Sequence, residues 1–378
     1  MLSMASAARV TDMDPDNAVR SLAEVALPNS LLQTVSDRAQ DIDSGSATVR
    51  DLFPILADAC LVDLGAPCNA NGELVHQAAV LHDLAERSLS VAFALWGHRM
   101  TIEYLTLTGG SFAEPLLQLL RAGTVPGVSA MAPGFKNFVG AGDLGLSLQR
   151  DARGRLLLSG RLDWASNLYS DAVVVASANG PNQNTDISGA RQKVIVAFRV
   201  DAPEVTVGPD LNLLALRGTA STFVEIEDLV LAEEQILTDH FETFIRQARP
   251  TLSILQASFC LGLATASYRQ VSQNVTGVNE VFNPQVDSLG DQLAKTKQQL
   301  AELARRVATG SVLRPQQLLS TRLEAGSLAT ELTTLELKTA GGKGYVTTSD
   351  TNRRYREASF IPIQAPSEAQ LKWELDRT

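Results

Sequence analysis

The chain has 378 residues, of which 45% are hydrophobic and 20% charged, a composition typical of globular proteins and not of disordered or fibrous ones. This length exceeds what one hydrophobic core usually organises and predicts two or three packed units. The net charge of −10, without a dense Lys/Arg cluster, argues against a nucleic-acid partner, and no apolar run is long enough to cross a membrane.

Cysteine usage and the first residues favour a cytoplasmic protein. Residues 1–17 lack the basic and apolar regions of a secretory signal. The cysteines Cys60, Cys68 and Cys260 are odd in number and lack metal-ligand spacing, which predicts reduced, buried thiols. The four histidines form no metal-type pattern with them, so no metal site is predicted.

Helical periodicity dominates the first part of the chain, from Pro15 to Leu120. Glycine, proline and asparagine predict a loop over residues 65–72. One helix is predicted for about Glu73 to Glu86, and a second for Ser88 to Leu105, which is apolar nearly all round and is therefore expected to be buried.

The period changes to two between Gly123 and about Ile236, which predicts a β-rich region. Asp151 to Gly154 separates two apolar runs in the manner of a hairpin turn. Other predicted strands cover the runs 172–178, 194–200 and 222–226.

Helical spacing returns from about Asp239 to Thr339 and predicts three long helices. Glycines in the segment Ala340 to Gly344 predict the end of the last helix. The predicted fold class is thus α+β, with an all-helical domain (1–122), a middle β-barrel or β-sandwich domain (123–237) and a C-terminal helical bundle (238–378).

The segment Gly160–Asn167, followed by an apolar run, is the most informative stretch. Trp164 and Ser166 are two residues apart, so a strand places the indole and the hydroxyl on the same face. A flat ring beside a small donor is one way to hold a planar ligand. The same pattern is also typical of an ordinary strand with a core tryptophan.

Together with the order helices, β-region, helices, several segments resemble motifs of the acyl-CoA dehydrogenase superfamily of flavoproteins. Gly160–Asn167 resembles its Gly-x-Lys-x-Trp-Ile-Thr-Asn strand. The other segments that carry the resemblance are Leu216–Ser221, Ile226–Val230, Ala340–Tyr345 and Arg353–Ala358. The five occur in the family's order, which implies a four-helix C-terminal bundle and a bound flavin, FAD or alternatively FMN.

The resemblance implies roles for individual residues. Trp164 would pack near the isoalloxazine ring, Ser166 would stand where a family threonine donates to flavin N5, and Met131 would lie in the loop beside the flavin. Gly341 and Gly342 would approach the phosphate and ribose of the cofactor across a subunit boundary, which implies a homodimer or homotetramer. A plain helix C-cap explains the same two glycines.

Departures from the family concern the catalytic base and the phosphate clamp. The two base positions align with Ala365 and Ala248, neither of which accepts a proton, and leave only Glu368 or Asp163 as substitutes. Residues 277–282 lack the arginine that reaches the FAD pyrophosphate in relatives.

Three functions follow as alternatives. The first is a flavin-dependent oxidoreductase of the dehydrogenase type that acts on an acyl thioester or a similar C–H acid. The second is a two-component monooxygenase, in which a partner reductase supplies reduced flavin for reaction with O2, and where His98 and Ser166 form a candidate pair. The third is a catalytically silent relative that binds a ligand or a partner. A hydrogen-bonded core histidine is the competing explanation for His98.

Overall fold

The computed structural model describes residues 25, 27–67, 73–181, 192–308 and 313–377. Helices occupy both ends of the described chain and strands occupy its middle, as the α+β class predicts. The helices are α1 Asn29–Ser44, α2 Leu52–Asp58, α3 Leu74–Arg87, α4 Leu89–Thr108, α5 Ala113–Arg121, α6 Ala132–Phe138, α7 Phe241–Asn274, α8 Asn283–Ala308, α9 Pro315–Ala340, α10 Asp350–Ala358 and α11 Glu368–Leu375. The strands are β1 Gly127–Ala130, β2 Leu146–Arg150, β3 Leu156–Ala165, β4 Val173–Asn179, β5 Lys193–Arg199, β6 Val205–Val207, β7 Thr222–Leu231 and β8 Ile236–Thr238.

The strands form one mixed sheet in the order β6-β7-β3-β2-β4-β5-β8, with β1 added parallel to β4. Strands β2 and β3 pair as the predicted hairpin, and Gly154 takes a φ of 79° in its turn. Alternate residues of β4 point to opposite sides of the sheet, because side chains alternate along a strand. Val173 and Val175 join the helical core, whereas Val174 and Ala176 join a second core formed by the sheet itself.

The helical core joins the two ends of the chain. The long helix α7 packs against α9 and against α3 from the N-terminal region. Gly262 makes the second contact possible, since a Cβ at this position would lie 2.1 Å from the carbonyl oxygen of His82. The predicted domain limit at 122/123 falls between α5 and β1, the limit at 237/238 falls within β8, and the division into three domains stays a prediction.

Two local expectations are wrong. The stretch after Met131 forms α6 instead of a loop, because Pro133 lies in the first turn, where a missing N–H costs the helix nothing. Cys60 is exposed, in contrast to the buried Cys260. Cys68, most of the predicted loop 65–72 and the first 24 residues lie outside the described residues.

None of the described helices is both long enough and apolar enough to cross a bilayer.

Candidate functional site

A cavity of about 300 Å³ lies where α4, the β1–α6 segment, the end of β3, α7 and the loop after α10 meet. Its volume is at the lower end of the range for small-molecule sites. The described lining residues are Phe93, Trp96, Gly97, Ser129, Met131, Ala132, Phe135, Lys136, Trp164, Ala165, Ser166, Leu252, Phe360, Ile363, Gln364, Ala365, Pro366 and Gln370. Lys136 is the sole charged residue of this set, which contains no carboxylate. The cavity is therefore largely apolar, with polar groups at a few points.

The end of β3 forms one wall. The pairing of β3 with β7 is irregular between Leu162 and Ala165, just before Ala165 pairs with Thr222. Trp164 remains 48% exposed at the cavity, although it is a large apolar side chain. An indole left half open at a cavity is a surface that a ligand can cover.

Asn167 holds this wall against the helices. Its φ of 65° lies in the left-handed region, which asparagine adopts more readily than most residues. The side-chain amide nitrogen donates to the carbonyl oxygens of Ala94 at 2.8 Å and Gly127 at 3.0 Å. Asn167 therefore fixes α4 and β1 relative to the end of β3, and so fixes the shape of the cavity.

Ser166 carries the hydroxyl of this wall. Its Oγ lies 2.6 Å from Oγ of Ser221, which in turn lies 2.7 Å from Oγ1 of Thr219. Both partners are buried. The Ser166 hydroxyl is thus held by a hydrogen-bonded neighbour and does not rotate freely.

Aromatic side chains form the opposite wall. The rings of Phe93 and Trp96 stack with centroids 5.5 Å apart, and Phe360 meets Phe93 edge-on at 4.9 Å. Trp96 is buried, and its indole N–H has no hydrogen-bond partner among the described residues. An unpaired donor in the wall of an apolar cavity suits a ligand that carries an acceptor.

The loop after α10 closes the cavity with neutral groups. The carbonyl oxygen of Ala365 accepts from the amide nitrogens of Gln256 at 2.9 Å and Gln364 at 3.2 Å. Arg322 is buried behind this loop and donates to Gln364 Oε1 at 3.0 Å. These contacts fix Ala365 at the cavity wall.

Three of the residues singled out from the sequence meet at this cavity: Met131, Trp164 and Ser166. Helix α4, predicted to be buried, contributes Phe93 and Trp96. The roles of the three residues toward a cofactor stay predictions.

His98 does not join them, and its pairing with Ser166 is wrong. The residue is fully buried and stacks on Phe53, with ring centroids 4.7 Å apart. Its Nδ1 accepts from the N–H of Gly127 at 3.0 Å, so Nε2 carries the proton that is donated to the carbonyl oxygen of Leu120 at 3.0 Å. Desolvation by burial lowers the pKa of His98 to about 4. His98 is a neutral core histidine without a free nitrogen.

Gly341 and Gly342 also lie away from the cavity lining. They end α9, where Gly341 takes a φ of 60°, and no described heavy atom approaches the position of a Cβ at either residue. Asn279, in the segment that lacks the phosphate-binding arginine, donates to the carbonyl oxygen of Thr339 at 3.0 Å. The two segments expected to bind cofactor phosphate are therefore neighbours.

Neither the two aligned base positions nor the two substitute carboxylates offer a proton acceptor to the cavity. Ala365 lines it without a proton acceptor, and Ala248 is buried in α7. Glu368 pairs with Lys372 at 2.6 Å on α11. Asp163 pairs with Arg161, and its side chain is 92% exposed. Neither carboxylate belongs to the cavity lining.

One histidine and two carboxylates do come together elsewhere, on α3. The ligand-type atoms of His82, Asp83 and Glu86 lie within 4.8 Å of one another. His82 bonds Asp83 at 3.0 Å and Thr265 at 3.1 Å, while Glu86 pairs with Arg269. This group is an ion-pair and hydrogen-bond contact between α3 and α7.

Several lining residues are not predictable from the sequence. Gln364 and Gln370 lie in the short C-terminal segment, where no periodicity distinguishes them from surface glutamines. Oε1 of Gln370 is buried without a hydrogen-bond partner among the described residues. Lys136 follows Met131 in the same segment, but no motif of the sequence singles it out.

Comparison with known proteins identifies the fold. No family model matches the chain. The mitochondrial short-chain specific acyl-CoA dehydrogenase of Sus scrofa is 28% identical over 232 residues, 57% of this chain and 54% of that protein, so the chain spans about half the length of this curated relative.

Solved structures match over nearly the whole chain. Butyryl-CoA dehydrogenase from Megasphaera elsdenii superposes with a TM-score of 0.81 at 14% identity and covers 98% of this chain and 99% of its own. KijD3 was solved in complex with FMN and dTDP-3-amino-2,3,6-trideoxy-4-keto-3-methyl-D-glucose. It superposes with a TM-score of 0.75 at 18% identity, and the match covers 98% of this chain and 94% of KijD3. The chain therefore has the acyl-CoA dehydrogenase superfamily fold, and the resemblance drawn from its motifs is confirmed at this level.

Proposed function

We propose that this chain is a flavin-dependent oxidoreductase that binds the isoalloxazine ring in the cavity between Trp164 and the aromatic wall of α4. The lining fits such a group, because it offers a half-exposed indole, a hydroxyl at Ser166 and the unpaired N–H of Trp96. A flavin ring is planar and apolar over its faces, and polar atoms lie along its edge. Bound there, it would supply reversible two-electron transfer.

We further propose that the reaction is of the monooxygenase type, in which reduced flavin reacts with O2. A single observation carries this choice: the described cavity lining contains no carboxylate, and Ala365, which the resemblance aligns with the family base, contributes only a methyl group to it. Removal of an α-proton needs an acceptor within hydrogen-bond reach. Ser166 and the glutamine amides are too weakly basic, and His98 is committed to backbone partners.

The chain's own residues would then act by binding, orienting and excluding water. The aromatic wall and Leu252 keep the interior apolar, which protects a reduced ring from bulk solvent. Ser166 and Trp96 would orient the ring edge. Lys136, which makes no ion pair among the described residues, would face a phosphate of the cofactor or an anionic part of the substrate.

Either FAD or FMN satisfies this proposal. The lack of an arginine in Gly277–Phe282 removes one expected contact of an FAD pyrophosphate. The complex of KijD3 with FMN gives an example of FMN on this fold.

Dehydrogenation of an acyl thioester is the second candidate. The sequence match to the short-chain acyl-CoA dehydrogenase and the apolar cavity favour it. In that case a base outside the described lining residues would have to reach the substrate.

Anaerobic spectroscopy separates the two. The purified protein is saturated with FAD or FMN and mixed with short-chain acyl-CoA in the absence of O2. A monooxygenase leaves the flavin spectrum unchanged, and its chemically reduced complex reacts with O2 at a rate different from that of free flavin. Bleaching by acyl-CoA would refute the monooxygenase and support the dehydrogenase. Failure to take up either flavin would refute both.

The variant Ala365→Glu tests the missing base directly. A carboxylate at this wall position would allow acyl-CoA to bleach the flavin if substrate orientation is otherwise retained. Ala365→Gln is the matched control, since it adds the same volume without a base. Equal behaviour of the two variants would show that the missing carboxylate does not decide the reaction type.

A further inference from the structure

A chain of three hydroxyls runs from the cavity wall into the protein. Ser166 Oγ lies 2.6 Å from Ser221 Oγ, and Ser221 Oγ lies 2.7 Å from Thr219 Oγ1. Thr219 Oγ1 donates to the carbonyl oxygen of Leu216 at 2.7 Å. All three separations are those of hydrogen bonds, so each needs one proton between its two oxygens.

Counting protons fixes the direction of the chain. Each hydroxyl has one proton to donate, and the final acceptor, a carbonyl oxygen, has none. Thr219 donates its proton to the carbonyl oxygen of Leu216, so it must accept from Ser221. Ser221 therefore donates to Thr219 and accepts from Ser166. The Ser166 oxygen therefore faces the cavity with lone pairs only.

The far end of the chain is held firmly in place. Leu216 has a φ of 61° and Ala220 a φ of 46°, and they flank a short 3-10 turn. The N–H of Leu216 donates to Asp43 Oδ1 at 3.0 Å, and the other oxygen of this buried carboxylate pairs with Arg356. Contacts on both sides of the turn keep the Leu216 carbonyl where Thr219 can reach it.

We propose that Ser221 and Thr219 are positioning residues that make Ser166 a hydrogen-bond acceptor toward the cavity, so that the site prefers reduced flavin over oxidised flavin. In oxidised flavin N5 has a lone pair and no proton, so an acceptor facing it gains no hydrogen bond. In reduced flavin N5 carries a proton and can donate to Ser166. This inference rests on the proposed flavin site and gives it a direction, since an enzyme that receives its flavin already reduced benefits from this preference.

The test compares the affinities of the two redox states. FMN and FAD are titrated anaerobically in oxidised and dithionite-reduced form, and the quenching of tryptophan fluorescence gives both dissociation constants. We expect the wild-type protein to bind reduced flavin about tenfold more tightly, because a tenfold ratio corresponds to about 1.4 kcal/mol, which is within the range that one hydrogen bond gained in only one redox state contributes.

Two variants interrupt the chain of three hydroxyls at different points. Ser221→Ala removes the acceptor of Ser166, and Thr219→Val removes the acceptor of Ser221, which can then donate back to Ser166. Either change frees the Ser166 proton to face the cavity. The affinity ratio should fall about threefold to tenfold in both, mainly because oxidised flavin binds more tightly. Ser221→Thr, which keeps a hydroxyl, should restore the ratio.

Thr222→Val serves as the control. Thr222 is buried beside the three hydroxyls, but its own hydroxyl donates to the Pro209 carbonyl at 3.0 Å and takes no part in their hydrogen bonds. If Ser221→Ala and Thr219→Val both bind flavin with an unchanged affinity ratio, the inference is overturned, but the proposed flavin site is not. Absence of binding in either redox state would instead refute the proposed function.

Discussion

Replacement of Trp164 by alanine should weaken flavin binding without unfolding the protein. The side chain is 48% exposed, which corresponds to roughly 120 Å² of a surface of about 250 Å² for a tryptophan. Complete coverage by a ligand would contribute about 3 kcal/mol at 25 cal/mol per Å². A ring that covers half of this area contributes about 1.5 kcal/mol, so the dissociation constant should rise roughly tenfold.

The matched control is Trp373→Ala. Trp373 lies on α11, where its ring stacks with the guanidinium of Arg377 at 4.0 Å, and it does not line the cavity. Both variants lose a tryptophan, so a change common to both reports general destabilisation. Flavin affinity is measured by equilibrium titration, and folding by far-UV circular dichroism and thermal unfolding.

The outcome that contradicts the argument is clear. If Trp164→Ala and Trp373→Ala bind flavin within twofold of the unchanged protein, no ring covers Trp164 and the ligand lies elsewhere. A folded Trp164→Ala that binds about tenfold more weakly, beside an unaffected Trp373→Ala, supports a ring against this indole.

Two further predictions concern ionisation and assembly. Burial holds the pKa of His98 near 4, whereas an unfolded chain has the ordinary value near 6.5. Between these two values the native state binds fewer protons than the unfolded chain. The free energy of unfolding should therefore fall by up to about 3 kcal/mol as the pH is lowered from about 6.5 to 4. Urea titrations should show a smaller loss of stability in His98→Phe than in the wild-type protein. His240→Gln, whose ring is 85% exposed, should lose as much stability as the wild-type protein. An equal loss in all three proteins would contradict the assignment of this pH dependence to His98. Val278 and Val281, beside the end of α9, are 92% and 74% exposed, so we expect the protein to form a dimer or tetramer in light scattering. Val281→Glu should weaken this assembly more than Val230→Glu on β7. A monomer at micromolar concentration would refute the prediction.

Periodicity was sufficient to predict the regular elements. Helix α3 is predicted over about Glu73 to Glu86 and is found over Leu74–Arg87, and the strand predicted over 222–226 forms the first half of β7, Thr222–Leu231. These segments repeat their apolar residues with a single period, so local pattern and tertiary packing agree. Helix α6 was missed because its seven residues are too few to show a period, and only Pro133 hinted at a first turn.

The site was predictable only where a motif carried it. Trp164 and Ser166 belong to a segment whose residue types match a family pattern, and both line the cavity. His98 was misassigned because a histidine on an apolar helix looks the same in sequence whether its ring faces a cavity or the core. Its partners are the backbone atoms of Leu120 and Gly127, which are distant in sequence and carry no signal in their side chains.

The direction of the Ser166 hydroxyl cannot be predicted from the sequence, because it too depends on partners distant along the chain. A donor role for Ser166 follows from the family pattern, where a threonine at this position donates to flavin N5. The direction of its proton depends on Ser221 and Thr219, 55 and 53 residues further along the chain, and on a carbonyl that a strained turn holds in place. A serine in a motif therefore identifies a hydroxyl at the cavity, whereas the side chains behind it decide whether it donates or accepts. The absent carboxylate and this acceptor lead independently to one expectation, a site suited to flavin that arrives already reduced.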